Sequence, residues 1–451
     1  MTPTDVLPVA LAAILGTAFG ILIVSFLSVH PTRMSGFLLA ATTAAFAIVA
    51  LVAFGAAGLA QWAALAAALV TAVLGYAWMT RRVLSREDSR PVPALIRRRG
   101  DPGVGHTAIV YFTHGEPETY DPIGWLNQFR EFDGQKIRFI PTLVRPLFLF
   151  ALRQHYLVVG KSDHRRGHQE MVKSLERTFR EQGDLTTRLY LCFLDDNPRP
   201  DAAFIQALND GASRVVVAEV FVSISNHTEE GRHLIEAVDM EGIPVEVRFA
   251  GPLWDSATLH GMFVQRAAHH LEGLSKREVG VLLVGHGQPD EWDAMWPTET
   301  QHEVAFRQSI MRRLEEDGYP PENLGLAWMD FKSPKPAALV EELVSRGVKR
   351  ILYFAAAISA DSMHSQYDIP MLVRRAKVPA GVTFENLGAW NDDPPVIRAI
   401  REIIDDQLAM MQPALAGTLD TPPAPTPSGD LPAGSPAAAV PEPEPAGVLA
   451  R

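Results

Sequence analysis

Two histidines, each standing where an apolar run gives way to a polar turn, are the residues of this chain best placed to do chemistry. His286 sits in Leu282-Leu283-Val284-Gly285-His286-Gly287-Gln288-Pro289, and His364 ends the run Ile358-Ser359-Ala360-Asp361-Ser362-Met363-His364. A neutral imidazole ligates a divalent ion at about 2.0–2.1 Å and, with a pKa near ~6.5, also takes up protons at neutral pH. Facing each other across a cleft, two such groups can strip protons from a bound molecule while handing it a metal. Glycine on both sides of His286 lets another group approach the backbone closely, and Pro289 stiffens the exit. His114 and His227 occupy matching contexts, in Ile109-Val110-Tyr111-Phe112-Thr113-His114-Gly115-Glu116-Pro117 and Val222-Ser223-Ile224-Ser225-Asn226-His227. For this second pair, a binding role and a structural role weigh equally.

Other candidates are weaker. Glu229, Glu230, Asp361 and Asp368 can orient an imidazole or relay protons, although exposed helix-start acids would look the same. His164 and His168 share one face if helical, but with Arg165 and Arg166 between them they read as a solvated basic patch or a carboxylate contact. His269, His270 and His302 have no convergent partners and read as surface residues. No nucleophile elbow, phosphate-loop lysine or dinucleotide turn stands in a supporting context, which removes the commonest hydrolase and nucleotide readings. The single cysteine, Cys192, lies in an apolar run, so it reads as a core thiol and excludes a disulfide framework or a thiolate metal cluster within the chain. A net charge of -11 argues against a nucleic-acid partner.

These residues need a scaffold, and the 451-residue chain divides into zones that supply one. Three apolar stretches, Val6–Val29, Gly36–Leu59 and Trp62–Met79, each approach the ~20 residues that cross a bilayer, with a merged hairpin for the last two as the competitor. Arg33 in the first loop and the cluster from Arg81 to Arg99 set both sites on the cytoplasmic side, giving a multi-pass anchor in the cell membrane. From His106 to Met411, short β-branched runs alternate with amphipathic stretches, the pattern of an α/β fold with mostly parallel sheets. Strands are expected at 108–112, 189–193, 214–221, 245–249, 279–284, 324–328, 350–354 and 382–387. The organisation is an anchor over 1–82, a linker over 83–105, lobes over 106–275 and 276–411, and a disordered Pro- and Ala-rich tail over 412–451.

The two lobes repeat each other. A strand ending in His-Gly opens each, a Ser-containing loop with a histidine follows, and Gly251-Pro252-Leu253-Trp254-Asp255 corresponds to Gly388-Ala389-Trp390-Asn391-Asp392. His227 to His364 spans 137 positions but His114 to His286 spans 172, so the first lobe carries roughly 35 extra residues. They fall most naturally in Pro141–Gly167, where Phe148, Leu149, Phe150, Tyr156 and Lys161 stand beside Arg145, Arg153, Arg165 and Arg166. An apolar flap with basic residues suits a flat macrocycle bearing carboxylates; an extra helix packed on the sheet is the plain alternative.

Over His106–Met411 the sequence resembles the class II chelatases, the family of ferrochelatase and the sirohydrochlorin chelatases. The resemblance implies two flavodoxin-like lobes around a tetrapyrrole cleft and a lyase that inserts a metal without ATP. No cofactor is held permanently; a divalent ion, Fe2+ first and Co2+ second, is a substrate. In that family the strand-end histidine of the second lobe is the catalytic metal ligand, which carries over to His286, with His364 as its partner. The first-lobe motif through His114 and Glu116 is similar to the ferrochelatase segment that contacts the macrocycle. The insert with Tyr156 and Lys161 matches the place of its porphyrin-gripping lip, and His227 is the remaining macrocycle contact. Ferrochelatases have a glutamate where the best register puts His364, and His364-Ser365-Gln366-Tyr367-Asp368-Ile369-Pro370 is more similar to the sirohydrochlorin chelatases. Against that, a membrane anchor favours an apolar porphyrin that partitions into lipid over a highly carboxylated sirohydrochlorin, and iron insertion into a porphyrin of haem synthesis is the expected function. A sirohydrochlorin chelatase, or a tethered tetrapyrrole or metal carrier without turnover, is the alternative.

Overall fold

The structure, a computed structural model, describes residues 3–137 and 140–411. The expected disordered tail over 412–451 lies outside the described residues. Three long apolar helices come first, α1 (Pro3–Ser28), α2 (Met34–Phe54) and α3 (Leu59–Leu84). Each is long and apolar enough to cross a bilayer. A break at Gly55–Gly58 separates the second from the third. Small residues let α1 and α3 pack backbone to backbone: Gly16 lies on Ala68 and Thr71, Gly20 on Ala72 and Tyr76, and Gly75 on Thr17, where an added Cβ would strike a carbonyl oxygen.

The remainder forms two α/β lobes. The first runs β1 (His106–Thr113), α4 (Ile123–Gly134), α5 (Arg145–Val159), α6 (His164–Glu181), β2 (Arg188–Phe193), α7 (Pro200–Asn209), β3 (Ala212–Glu219), α8 (Asn226–Glu236), β4 (Glu246–Ala250) and α9 (Ala257–His269). The second runs β5 (Val279–Gly285), α10 (Asp290–Met295), α11 (Pro297–Glu316), β6 (Leu324–Trp328), α12 (Pro336–Ser345), β7 (Arg350–Ala355), α13 (Ile369–Arg374), β8 (Thr383–Asn386) and α14 (Pro394–Met410). All strand pairs are parallel, and the two sheets have the same order, β2-β1-β3-β4 and β6-β5-β7-β8. Helices cover both faces, so β1, β5 and β7 are buried along their whole length, which is why they read as continuous apolar runs rather than alternating ones.

One apolar core runs through both lobes. It joins Ile109, Tyr111, Val216 and Ala218 of the first sheet to Val281, Leu283, Leu352 and Phe354 of the second, through Phe263, Phe306 and Trp390. Arg266 of α9 strengthens the seam by donating to the carbonyls of Leu387, Ala389 and Trp390 and to Asp393. At the other side of the seam, Thr113 and Ser359 hydroxyls are 3.4 Å apart.

The insert of the first lobe is helical, but it does not pack on the sheet. Helix α5 lies against α1, and buried Arg153 donates to the carbonyls of Phe26 (2.6 Å) and Val29 (2.8 Å) at the C-terminal end of α1. Those carbonyls have no partner within their own helix, so the guanidinium caps the span. Leu149 of α5 and Phe129 and Phe132 of α4 share a cluster with Val24 of α1 and Val83 of α3. Residues 85–105 carry no helix or strand, yet they are pinned to the first lobe, with Arg97 donating to Ala212 O and Ile96 N to Asn209.

Candidate active site

The carboxyl ends of β1, β3, β5 and β7 open into a single cavity of about 580 Å³, walled by both lobes and by α4 and α5. Parallel sheets bind ligands at this edge because strand-end side chains are rigidly held yet point past the sheet. His286 leaves β5 through a turn that only glycines fit. Gly287 has φ +82°, and a Cβ on Gly285 would lie 2.5 Å from the Arg307 guanidinium carbon and 2.6 Å from Glu303 Oε2, both buried beneath the turn. Glu303 accepts from the backbone N–H of His286 at 3.3 Å and so fixes the histidine from below.

The rings of His286 and His364 meet inside this cavity, with centroids 5.3 Å apart and planes at 73°. They are held in different protonation states. His286 Nδ1 donates to Gly287 O at 2.7 Å, which leaves Nε2 as a bare lone pair. Burial and the charge of His364 push its pKa down to about 4. For His364, burial opposes charge. The hydrogen bond from Nδ1 to Asp368 at 2.8 Å and the charges of Asp368, Glu116 and Asp330 outweigh it, and hold the pKa up at about 9. At neutral pH the pair is therefore one base and one acid. Among the described residues, no three His, Cys, Asp or Glu side chains are gathered tightly enough to hold a metal ion.

Other residues named from the sequence divide clearly. His114, Glu116, Tyr156 and His227 all line the cavity. Glu116 accepts from Met363 N at 2.9 Å, a bond between the lobes beside His364, while the Tyr156 hydroxyl is spent on Pro117 O at 3.0 Å. Lys161 does not reach the cavity; it pairs with Glu118 on the surface. Nor do the arginines of the insert line it. Arg145 holds Asp133, Arg153 caps α1, Arg165 binds Asp196, and Arg166 binds Asp163 and Glu170. Among the described residues, Arg375 is the one Lys or Arg in the lining. Among the described residues, the insert's arginines therefore give no basic grip on carboxylates in the cavity, because each guanidinium found an acid or a carbonyl nearer to hand.

His164 and His168 also depart from expectation. They share a face of α6, but both are buried rather than solvated, and His168 contacts Tyr111 OH at 3.0 Å and Ser359 Oγ at 3.2 Å. His302, read as a surface residue, stacks on Trp254 with centroids 4.5 Å apart. Of the carboxylates, Asp368 orients His364, Asp361 instead ties Ala389 N and Asn391, and Glu230 and Glu229 lie outside the lining.

Three residues of the site were missed in the sequence. His155 on α5 stacks on Tyr367 with centroids 4.3 Å apart, and its Nδ1 lies 3.2 Å from Asp368 Oδ1, so the insert touches the carboxylate that charges His364. Asp195 and Asp330 follow β2 and β6 and both face the cavity. A signal for them existed: Phe193-Leu194-Asp195 and Trp328-Met329-Asp330 are a further repeated aromatic, apolar, Asp sequence at a strand end.

With this geometry in hand, likeness to known proteins can be set beside it. The ferrochelatase family profile matches residues 106–408. Among solved structures, the chain is similar to the sirohydrochlorin chelatase SirB from Bacillus subtilis subspecies spizizenii in complex with cobalt, with 12% identity over 67% of this chain and 94% of that one and a TM-score of 0.41. It is similar to SirB from Bacillus subtilis with Fe3+ at 13% identity over 67% and 96% of the two chains, TM-score 0.42. DR2241 from Deinococcus radiodurans, a multi-domain protein with structural similarity to chelatases, matches at 16% identity over 66% and 55%, TM-score 0.43. No curated protein sequence matches the chain.

Proposed function

Because the chain belongs to the ferrochelatase family, whose reaction is insertion of a metal into a tetrapyrrole, we propose that its cleft places ferrous iron in a porphyrin, with His286 and His364 as the acting pair. The observation that carries this is the pairing of a neutral imidazole, its Nε2 free, with a second imidazole 5.3 Å away in a cavity of macrocycle size. Insertion of a divalent ion releases two pyrrole N–H protons. His286 Nε2 accepts one; His364 must first surrender its own proton through Asp368 before it can bind the ion or accept another.

The wall chemistry favours a porphyrin with few carboxylates. Trp125, Phe132, Phe148, Leu152 and Trp292 form flat apolar surfaces, and a heavily carboxylated sirohydrochlorin would meet Glu299, Glu303 and Asp330 with Arg375 as its one guanidinium among the described residues. Leu143, Leu147 and Val158 beside the cavity are exposed and apolar, which suits a lip resting on the bilayer from which a lipid-soluble substrate arrives. His364, in place of a carboxylate, favours the sirohydrochlorin alternative. The chain is placed in the cell membrane with three spans and the lobes on the cytoplasmic side, on the strength of its basic loop residues.

An insertion assay with purified protein, Fe2+, Zn2+ or Co2+, and protoporphyrin, coproporphyrin or sirohydrochlorin separates these readings. The expected result is turnover with a porphyrin and Fe2+, reduced roughly 10²–10⁴-fold in His286→Ala. Unchanged turnover in that variant removes the assigned role, and stoichiometric porphyrin binding without insertion identifies a carrier.

A further inference from the structure

We propose that His155 is a positioning residue for the acting pair: through Asp368 it sets the ring of His364, and so ties that ring to helix α5. The inference rests on the reading of His364 as a member of that pair. Asp368 stands between two imidazoles. Its Oδ2 accepts from Nδ1 of His364 at 2.8 Å, and its Oδ1 lies 3.2 Å from Nδ1 of His155. A carboxylate held at one oxygen still turns about its last bond, and the imidazole it orients turns with it; a contact at the second oxygen fixes the plane. His155 is itself held from two sides. Its ring lies on Tyr367, with centroids 4.3 Å apart and planes at 26°, and its helix is anchored two residues earlier by Arg153 on the carbonyls of Phe26 and Val29.

Two features point to a role beyond packing. Nδ1 of His155 is buried and not aligned in any hydrogen bond, so the nearby Asp368 carboxylate is the group that a small turn of the ring would bring into line with it. The segment His364–Asp368 is a single wide π-type turn, a local geometry that recurs at functional sites, and the first lobe grips it at successive residues. Met363 N donates to Glu116 at 2.9 Å; Asp163 N donates to Gln366 Oε1 at 3.2 Å, and Gln366 Nε2 returns a bond to Asp163 Oδ2 at 3.1 Å. Glu116 and Asp163 hold the frame of the turn, whereas His155 reaches the carboxylate on which His364 leans. His286 has a different support, since Glu303 and Gly287 of its own lobe fix it.

The test is a double-mutant cycle in the full chain in detergent, with two readouts. The first is the affinity of the Co2+ binding that H364A abolishes, with no tetrapyrrole present; the second is metal insertion, with kcat and the porphyrin KM measured separately. His155→Phe keeps a ring on Tyr367 and removes both nitrogens. It is expected to lower that Co2+ affinity and kcat about 10-fold while the porphyrin KM stays the same. His155→Asn, whose amide stands where Nδ1 stood, is expected to recover most of the loss, a rescue that a purely structural role would not give. Once Asp368→Asn is in place, adding His155→Phe is expected to change nothing further, because the carboxylate through which His155 acts is gone. Losses in H155F and D368N that multiply, a loss confined to the porphyrin KM, or no loss at all overturns the proposal. The expected Co2+ pattern without any insertion counts against the proposed function alone, whereas a wild type with no H364A-sensitive Co2+ binding overturns both.

Discussion

His286 and His364 are the same side chain in opposite protonation states, and the difference lies in what each Nδ1 touches. A backbone carbonyl can only fix a tautomer, whereas the Asp368 carboxylate stabilises a charge. This gives a pH dependence with a definite sign. Below about 9, His364 carries a proton that a metal ion must displace, so metal affinity at the pair falls about tenfold for each unit the pH drops. Asp368→Asn removes the stabilising charge and brings His364 back toward ~6.5, so the break in a plot of log affinity against pH is expected to move to lower pH. Co2+ titrations between pH 6 and 9.5, an interval around the ~6.5 and ~9 limits, measure it; an unmoved break would show that Asp368 does not hold the proton. At this scale the sequence was readable only where a residue recurred with a recognisable neighbour. His286 and His364 stood out through glycine and serine contexts that both halves share. His155 has no counterpart in the second lobe and acquires its place only when α5 folds across Tyr367.

Among the elements, all eight strands were legible; β1, β5 and β7, buried along their whole length, stood out most clearly as unbroken apolar runs. Helix α5 shows why the insert could not be resolved from pattern alone: it has no single wet face. One side presents Leu152, His155 and Tyr156 to the cavity and another grips α1 through Arg153, which is fully buried between Phe26 and Phe150. Arg153→Met keeps much of the bulk and leaves two helix-end carbonyls unpaired, with an expected loss of about 1.5–3 kcal/mol. Thermal unfolding in detergent and faster hydrogen exchange over residues 145–159 would record it. Arg166→Met, which breaks only exposed ion pairs, is expected to cost less than about 1 kcal/mol.

For the molecule as a whole, the ends of α1 and α3 that meet the lobes are those followed by Arg33 and carrying Arg81 and Arg82, the arrangement that the proposed cytoplasmic side of the lobes requires. Protease added to inside-out vesicles is therefore expected to cut within residues 85–411, and the same chain in right-side-out vesicles to be protected; the reverse pattern would invert the topology. The contact between spans and lobes itself could not be read from the sequence, because it depends on Val24 and Val83 meeting Phe132 and Leu149 from distant segments. The seamless core through both sheets has a mechanical consequence. Lobes that share Phe263, Phe306 and Trp390 cannot swing apart like the jaws of a clam without tearing that core. The floor of the molecule is thus a fixed anvil, and whatever admits or ejects a disc-shaped guest must be the α4 and α5 rim. That rim is bolted to the bundle of long apolar helices, so any load carried by those helices becomes part of the latch.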